Sequence, residues 1–319
     1  MMDPKPILEV QALSAGYGQQ KIIEDISFTL CPGEILSVVG ESGCGKSTLL
    51  RALTQTDPVV KTFSGSVSLQ GQALSQLPPK KRRDYCSARL GMVFQNPGSS
   101  FNPIRPFRVQ FVETLKSHGL YDKAAFLPQV TECFQKLGLQ DTGRILASCP
   151  FELSGGMNQR VALALTLMLG QRVLLSDEPT SALDAGVQLQ VAQELKALSS
   201  RDGVAQLVVT HNLALAQFLS HRIAVLYAGR IVEFGDTAQV LRHPVHPYTR
   251  ALMAAIPHVG GRLPKGLEGM PPRNGPDLPG CAFANRCPEA TTNCHSTKLP
   301  LKEVAPGHYA ACGKGDRGL

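Results

Sequence analysis

The 319-residue sequence lacks an apolar run long enough to cross a bilayer. Its apolar stretches without Lys, Arg, Asp or Glu are either short, as in Val161–Gln171, or interrupted by polar residues, as in Gly203–His221. The N-terminus also lacks a basic segment followed by an apolar core, because MMDPKPILEV leads directly into a strand-like pattern. We therefore expect a chain that does not span a membrane by itself and stays in the cytoplasm.

The basic residues do not form a stripe with interleaved aromatic residues, although the net charge is +7. Lys80–Arg83 is the only run of basic residues, and it is typical of the solvated face of a short helix. Nucleic acid is therefore not indicated as a partner. With 43% hydrophobic and 18% charged residues, the composition is that of an ordinary globular protein.

The nine cysteines lack the paired C-x2-C spacing of most zinc ribbons. Five are dispersed, and four lie near the C-terminus with the spacing C-x5-C-x6-C-x17-C, namely Cys281, Cys287, Cys294 and Cys312. A cytoplasmic protein seldom uses such a cluster for disulfides, so the spacing predicts a metal site. Tetrahedral zinc and an iron–sulfur cluster are both compatible with four thiolates.

The stretch GESGCGKST matches the phosphate-binding pattern G-x-x-x-x-G-K-[ST]. It follows the apolar strand Ile35–Val39 and precedes the apolar helix start Leu49–Leu53. Glycines let successive N–H groups face a phosphate, the lysine reaches the β- and γ-phosphates of ATP, and the following serine is placed to bind Mg²⁺. The predicted nucleotide-binding residues are Gly40, Glu41, Ser42, Gly43, Cys44, Gly45, Lys46, Ser47 and Thr48.

Two adjacent carboxylates follow the apolar strand Val173–Ser176. Parallel strands end on the same side of a sheet, so Asp177 is predicted to complete the Mg²⁺ site with Ser47. Glu178 is suited to orient or deprotonate the water that attacks the γ-phosphate.

In the sequence LSGG, Ser154 is the predicted N-cap of a helix that opens with two glycines, which cost stability relative to alanine. The glycines are explained if a phosphate approaches Ser154, Gly155 and Gly156 at the positive end of the helix. One chain cannot easily bring this segment and Gly40–Thr48 to the same γ-phosphate. The sequence therefore predicts that a second nucleotide-binding domain of the same kind supplies one of the two segments.

Strands alternate with helices around the phosphate-binding loop, which predicts a three-layer α/β fold with a largely parallel sheet. Residues 264–280 contain five prolines and four glycines, so they are predicted to be a linker. Three further residues have both a structural and a functional interpretation. Tyr17 could pack in its turn or stack on a purine, Gln95 could end a strand or contact Mg²⁺, and His211 could end a strand or contact the γ-phosphate.

Taken together, these motifs resemble ATP-binding cassette ATPases of membrane transporters, over residues 5 to 255. The resemblance implies a P-loop ATPase domain with a RecA-like core, an antiparallel β-subdomain and a helical subdomain. It makes Tyr17 the adenine-stacking residue, Gln95 a catalytic and Mg²⁺-contacting residue of the Q-loop, and His211 the switch histidine. It also assigns the Walker A loop, the signature, the Walker B pair and the D-loop to Gly40–Thr48, Leu153–Gln159, Asp177–Glu178 and Ser181–Asp184.

The stretches FQNPGSSFNP, LSGGMNQR, YAGRIVEFG and HPVHPYTRAL are similar to those of dipeptide, oligopeptide and nickel importer subunits, as is the cysteine-containing tail. Departures from that pattern are Ser176, Asn158 and Asn212, none of which removes a catalytic group. The resemblance implies a [4Fe–4S] cluster on the four tail cysteines, with Zn²⁺ as the alternative.

The resulting domain prediction is a cassette at residues 1–256, with a helical subdomain at about 96–170, a linker at 257–280 and a metal-binding extension at 281–319. The implied partners are a paralogous second ATPase, two transmembrane permeases and an extracytoplasmic solute-binding protein. The implied location of this chain is the cytoplasmic face of the inner membrane. Nickel or a metal chelate is an alternative solute. A soluble cassette ATPase of translation or repair is disfavoured by the single Walker A loop and the lack of heptads, and a metal-sensing regulator would not need Glu178 or His211.

Overall fold

The structure is a computed structural model that describes residues 5–95, 101–256, 267–272 and 275–313. The predictions for residues 96–100, for half of the predicted linker (257–266 and 273–274) and for residues 314–319 of the tail lie outside these ranges. The chain divides into two compact units. Unit 1 contains the described residues of Met1–Cys31, Ile35–Arg82 and Val209–Leu319, and unit 2 contains Pro32–Glu34 and those of Arg83–Val208.

The elements are strands and helices in mixed order, with three strands before the first helix. The strands are β1 Leu8–Tyr17, β2 Gln20–Leu30, β3 Ile35–Val39, β4 Val60–Leu69, β5 Gln72–Ala73, β6 Leu90–Val93, β7 Val173–Asp177, β8 Ala205–Thr210, β9 Arg222–Tyr227, β10 Arg230–Asp236, β11 Lys302–Ala305 and β12 His308–Ala310. The α-helices are α1 Lys46–Thr54, α2 Pro79–Ser87, α3 Phe107–Ser117, α4 Phe126–Lys136, α5 Thr142–Ala147, α6 Gly155–Met168, α7 Ala185–Asp202, α8 Leu213–Leu219, α9 Thr237–Arg242, α10 Pro247–Ala254 and α11 Thr292–Ser296.

Unit 1 contains an antiparallel sheet in the order β2-β1-β4-β5. In its register Val10 pairs with Phe28 on one side and with Val67 on the other. The pairing shifts at bulges, and Ala12 and Asp25 have positive φ angles of 46° and 54° there. Bulges increase the local twist of a sheet, which lets long strands such as β1 and β2 curve.

Unit 1 also contains strands in the order β11-β12-β10-β9-β3. Strand β3 pairs in parallel with β9, with Val39 opposite Val225, and all five of its residues are buried. Strands β10, β11 and β12 pair antiparallel. A strand that is buried on both faces reads as a continuous apolar run, which is why Ile35–Val39 was readable from the sequence.

The described residues of the C-terminal tail are part of unit 1. Strand β12 pairs with β10, Glu233 lying opposite Ala310. Phe283 is 1% exposed and packs on the rings of Tyr227 and Tyr248, with centroids 5.2 and 5.4 Å away. The tail therefore buries apolar surface of its own.

Unit 2 contains β6 and β7, which pair in parallel with Val93 opposite Ser176, and β8 lies next to β7. Its helical part is held by apolar contacts, among them the edge-to-face rings of Phe111 and Phe134. In the described part of the chain, no helix combines the length and the apolar character that crossing a membrane requires.

Candidate functional site

The phosphate-binding loop connects β3 to α1 in unit 1. Gly43 and Gly45 have φ angles of 80° and 106°, a region that side chains disfavour. A Cβ atom on Gly45 would also lie 2.8 Å from Cγ2 of Ile23. Glycine is therefore favoured at position 43 by conformation, and at position 45 by both conformation and space.

Lys46 is the first residue of α1 and its side chain lies within the loop, where it is 8% exposed. Its Nζ atom donates to the carbonyl oxygens of Gly40 and Glu41, at 2.8 and 2.9 Å. Cys44 is also buried, and burial raises the pKa of its thiol. The ammonium group thus lies inside the backbone curl that the motif assigns to a phosphate.

Tyr17 ends β1, and its hydroxyl lies 3.3 Å from Oγ1 of the buried Thr48. Ser42 and Ser47 are exposed on the same loop and helix start. The structure therefore brings the predicted adenine-stacking tyrosine to the start of α1, next to a serine hydroxyl that is accessible to a metal ion. The stacking and metal-binding roles remain predictions.

Glu41 is fixed in the loop by two residues to which the sequence assigned no role. Its N–H donates to the hydroxyl of Tyr248 at 2.9 Å. Its carboxylate accepts from both terminal nitrogens of Arg286, at 2.7 and 3.0 Å. This pairing raises the pKa of Arg286 further above its usual range, so the guanidinium stays charged.

Unit 2 contains the acidic pair at the end of β7. Asp177 and Glu178 are 7% and 6% exposed, and Glu178 has a positive φ of 52°. The Glu178 carbonyl oxygen accepts from the side-chain amide of Gln159 at 2.8 Å and from the Ser181 hydroxyl at 3.1 Å. The strained backbone at the predicted catalytic residue is therefore fixed by hydrogen bonds from α6 and from the following turn.

Gln95 follows β6 by two residues and is exposed. Because β6 and β7 are parallel neighbours, Gln95 and the pair Asp177 and Glu178 lie at the same edge of the unit 2 strands. Ligands of open α/β sheets bind outside the carboxyl ends of the strands, which is where these residues lie. Their roles remain predictions.

The signature segment forms the start of α6 in unit 2. Ser154 is its N-cap and accepts from the N–H of Met157 at 3.3 Å, as predicted. A Cβ atom on Gly155 would meet nothing within 4 Å, whereas one on Gly156 would lie 2.9 Å from the carbonyl oxygen of Ala182. Gly156 is therefore explained by packing, and Gly155 leaves the helix start open.

His211 directly follows β8 and is exposed, in unit 1. The next residue, Asn212, caps α8 by accepting from the N–H of Leu215 at 3.1 Å. Asn212, which departs from the family pattern, therefore has a structural role as a helix cap through its side-chain carbonyl oxygen.

The predicted metal site in the tail is not found. All four cysteines lie in the described part of the chain, where no group of three or more His, Cys, Asp or Glu side chains is placed to hold a metal ion. Cys281 and Cys287 instead pack against the apolar cluster around Phe283, and Cys294 contacts the Thr291 hydroxyl at 3.3 Å.

The four thiols are nevertheless neighbours. Burial raises the pKa of Cys281, and the thiols of Cys294, Cys287 and Cys312 raise it further by their proximity. The hydrogen bond from Thr291 lowers the pKa of Cys294. The residue types suit a metal, but the side chains as placed do not converge on one point.

Comparison with known proteins defines the class. Residues 23–181 match the family model described as "ABC transporter". Residues 232–294 match the model described as "Oligopeptide/dipeptide transporter, C-terminal region". The chain therefore belongs to the ABC transporter family of ATPases.

Individual relatives agree with this assignment. The chain is 36% identical over 316 residues to the "Probable peptide ABC transporter ATP-binding protein y4tR" of Sinorhizobium fredii, covering 96% of this chain and 94% of that protein. It is 33% identical over 313 residues to the "Dipeptide transport ATP-binding protein DppD" of Escherichia coli, covering 96% of both. Among solved structures, the ATP-binding cassette MJ0796, a dimer bound to ADP and Pi, matches with a TM-score of 0.65 at 26% identity, over 72% of this chain and 98% of that chain.

Sequence reasoning missed Tyr248 and Arg286 as residues of the site. Both lie in segments that carried the resemblance, HPVHPYTRAL and GCAFANRCPEA, so a signal was present without a role attached. Both residues contact Glu41, from which they are separated by 207 and 245 positions in the chain. Separations of this size leave no periodicity in a sequence.

Proposed function

We propose that this chain is the ATP-hydrolysing subunit of an importer for dipeptides or oligopeptides. The observation that carries the proposal is the oligopeptide-type C-terminal region, residues 232–294, which belongs to the same unit as the phosphate-binding loop. The names of the relatives in Sinorhizobium fredii and Escherichia coli, which refer to peptide and dipeptide transport, support the same solute class.

In the proposed site, Lys46 and the loop N–H groups bind the phosphates of ATP, and Tyr17 stacks on the adenine. Ser47, Asp177 and Gln95 carry the oxygen ligands that Mg²⁺ prefers. Mg²⁺, when bound, would neutralise charge on the phosphate oxygens.

Glu178 accepts a proton from the attacking water as its oxygen bonds to the γ-phosphorus and the bond to ADP breaks. His211 contacts the γ-phosphate. Ser154, Gly155 and Gly156 act on the nucleotide of a second cassette, and their helix start carries an open N-terminal turn for that purpose.

The substitution Glu178→Gln tests the catalytic assignment. It keeps the shape of the side chain but removes the negative charge, so ATP still binds while hydrolysis falls by about a hundredfold or more. The matched control is Glu132→Gln, an exposed carboxylate on α4 in the same unit, which leaves hydrolysis unchanged. Wild-type hydrolysis by the Glu178→Gln protein in its transporter complex would contradict the role.

The proposed partners are two transmembrane permeases, an extracytoplasmic solute-binding protein and a paralogous second ATPase, with the complex on the cytoplasmic face of the inner membrane. Purification of the intact transporter tests this composition. Two copies of this chain and no other ATPase would exclude the paralogue. Recovery without any permease would favour the alternative of an ATPase outside transport, and stimulation of hydrolysis by nickel-loaded rather than peptide-loaded binding protein would favour the alternative solute.

We also propose a metal centre on Cys281, Cys287, Cys294 and Cys312, a [4Fe–4S] cluster in preference to Zn²⁺. Its support is the mutual proximity of the four thiols and their residue type. Binding would require their side chains to turn toward a common centre. Elemental analysis of anaerobically purified protein distinguishes iron from zinc, and the lack of both with all four thiols open to alkylation would reject the centre.

A further inference from the structure

The phosphate-binding loop contains a carboxylate, which is unfavourable next to a polyphosphate. Glu41 is the second residue of the loop, and its carbonyl oxygen accepts from Lys46 at 2.9 Å. Its side chain is three-quarters buried, at 24% exposure. A negative charge in this position opposes the binding of ATP, whose phosphates carry several negative charges of their own.

Arg286 of the tail neutralises that carboxylate. Its guanidinium is 5% exposed and pairs with Glu41 through two parallel hydrogen bonds, the geometry in which arginine binds carboxylates most strongly. Two of its other N–H groups are used as well, since Nε donates to the carbonyl oxygen of Glu268 at 2.9 Å and Nη1 to the Tyr227 hydroxyl at 3.2 Å.

The position of Arg286 is fixed by the packing of the tail. Its guanidinium lies 5.8 Å from the ring centroids of both Tyr227 and Phe283. Phe283 is fully buried three residues earlier, and Cys287 is the next residue in the chain. Any displacement of this segment of the tail therefore moves the charge that faces Glu41.

We propose that Arg286 is a positioning residue for nucleotide binding, through which the cysteine-bearing tail cancels the charge of Glu41 and makes the loop accept a polyphosphate. This inference rests on the proposed role of Gly40–Thr48 in binding ATP. The net charge of the pair is zero in the natural protein. It becomes −1 in Arg286→Met, +1 in Glu41→Gln, and zero again when both substitutions are combined.

The test measures the affinity of the purified full-length chain for fluorescent ATP and ADP analogues in all four proteins. Arg286→Met weakens ATP binding by about tenfold and ADP binding by a smaller factor, because ADP carries fewer charges. Glu41→Gln tightens both, again ATP more than ADP. The double variant returns close to the natural affinity, an outcome that a purely structural role of Arg286 does not produce.

Arg250→Met is the matched control. Arg250 lies on α10 and pairs with Glu289 of the tail at 3.0 Å, but at a partly exposed site that makes no contact with the loop. It is expected to leave both affinities unchanged. If Arg286→Met does not fold, Glu41→Gln alone decides, and equal ATP affinity in Glu41→Gln and the natural protein overturns the proposal.

Different results contradict the proposed function of the loop and the proposed role of Arg286. A natural protein that binds neither nucleotide, or whose binding survives Lys46→Ala, contradicts the proposed function of the loop. A natural protein that binds ATP in a manner dependent on Lys46, with Arg286→Met weakened equally for ATP and ADP and not restored by Glu41→Gln, contradicts only the role of Arg286.

Discussion

His246 is a buried neutral base at the start of α10. Its Nδ1 atom accepts from the backbone N–H of Tyr248 at 3.1 Å, and the backbone N–H of His246 donates to the Glu233 carboxylate at 2.9 Å. Burial lowers its pKa from 6.5 to about 4; the Arg250 charge lowers it too, and Glu233 acts in the opposite direction. The folded chain therefore resists a proton that the unfolded chain accepts.

The lowered pKa of His246 predicts that the folded protein loses stability in weak acid. Between pH 6.5 and 4 the unfolded state binds the proton and the folded state does not, so stability is full above pH 6.5 and declines by up to about 3 kcal/mol toward pH 4. His246→Asn keeps an oxygen that can cap α10 and removes the titration. Urea unfolding at several pH values is expected to show a flatter profile for His246→Asn.

His243→Asn is the control for that profile, because His243 is exposed on the same segment. Its pH dependence is expected to match the natural protein. Equal slopes for His246→Asn and the natural protein between pH 6.5 and 4 would mean that other groups cause the acid sensitivity.

Individual site residues were predictable where the chemistry is local. The residues from Gly40 to Thr48 follow from a nine-residue motif, and Ser154 from a capping pattern. Arg286 was not predictable, because nothing in its neighbourhood indicates a partner 245 positions away. A charged side chain is buried only where a partner compensates its charge, so its burial cannot be predicted before the partner is known.

At the scale of elements, the two signature glycines at the start of α6 have different surroundings. Ala at Gly156 would press on the carbonyl oxygen of Ala182, but Ala at Gly155 meets no atom within 4 Å. Alanine is also a better helix former than glycine by up to about 1 kcal/mol. Gly155→Ala is therefore expected to fold at least as stably as the natural protein.

The same substitution is expected to lower ATP hydrolysis by about tenfold or more in the assembled transporter, since a methyl group obstructs the phosphate that approaches the helix start. Thermal unfolding and ATP hydrolysis, measured on one preparation of Gly155→Ala, check the expected stability and the expected loss of activity. Gly143→Ala, also on the first turn of a helix in unit 2, serves as a control, because an added Cβ atom would meet only Oδ1 of Asp141 at 3.9 Å, an ordinary contact. Normal hydrolysis in Gly155→Ala would remove the proposed phosphate contact.

Elements that carry the motifs were predicted well, because β3 is a continuous apolar run, β7 begins with three apolar residues and α6 begins with a capping serine. The tail strands β11 and β12 were not predicted. They have four and three residues, too few for an alternating pattern, and β12 exists as a strand through its pairing with β10. Long-range pairing overrides local composition in such short segments.

At the scale of the whole chain, the sequence and the structure make opposite predictions for the tail. A tail stabilised mainly by metal would leave the rest of the protein intact when removed. In the structure, His308 instead donates to the fully buried Glu233 at 2.8 Å, while Phe283 covers two tyrosine rings. Removal leaves Glu233 without that partner and exposes the rings.

A chain that ends at Ile256 is therefore expected to unfold at a lower denaturant concentration, since loss of the Phe283 ring alone is worth about 3 kcal/mol or more. It is also expected to bind ATP more weakly, because Glu41 loses Arg286. The informative comparison is the full-length chain with serine at all four tail cysteines, which keeps Phe283 and Arg286. If packing dominates, this variant retains most of the stability and ATP affinity that truncation removes; if it matches the truncated chain in both, metal rather than packing fixes the tail.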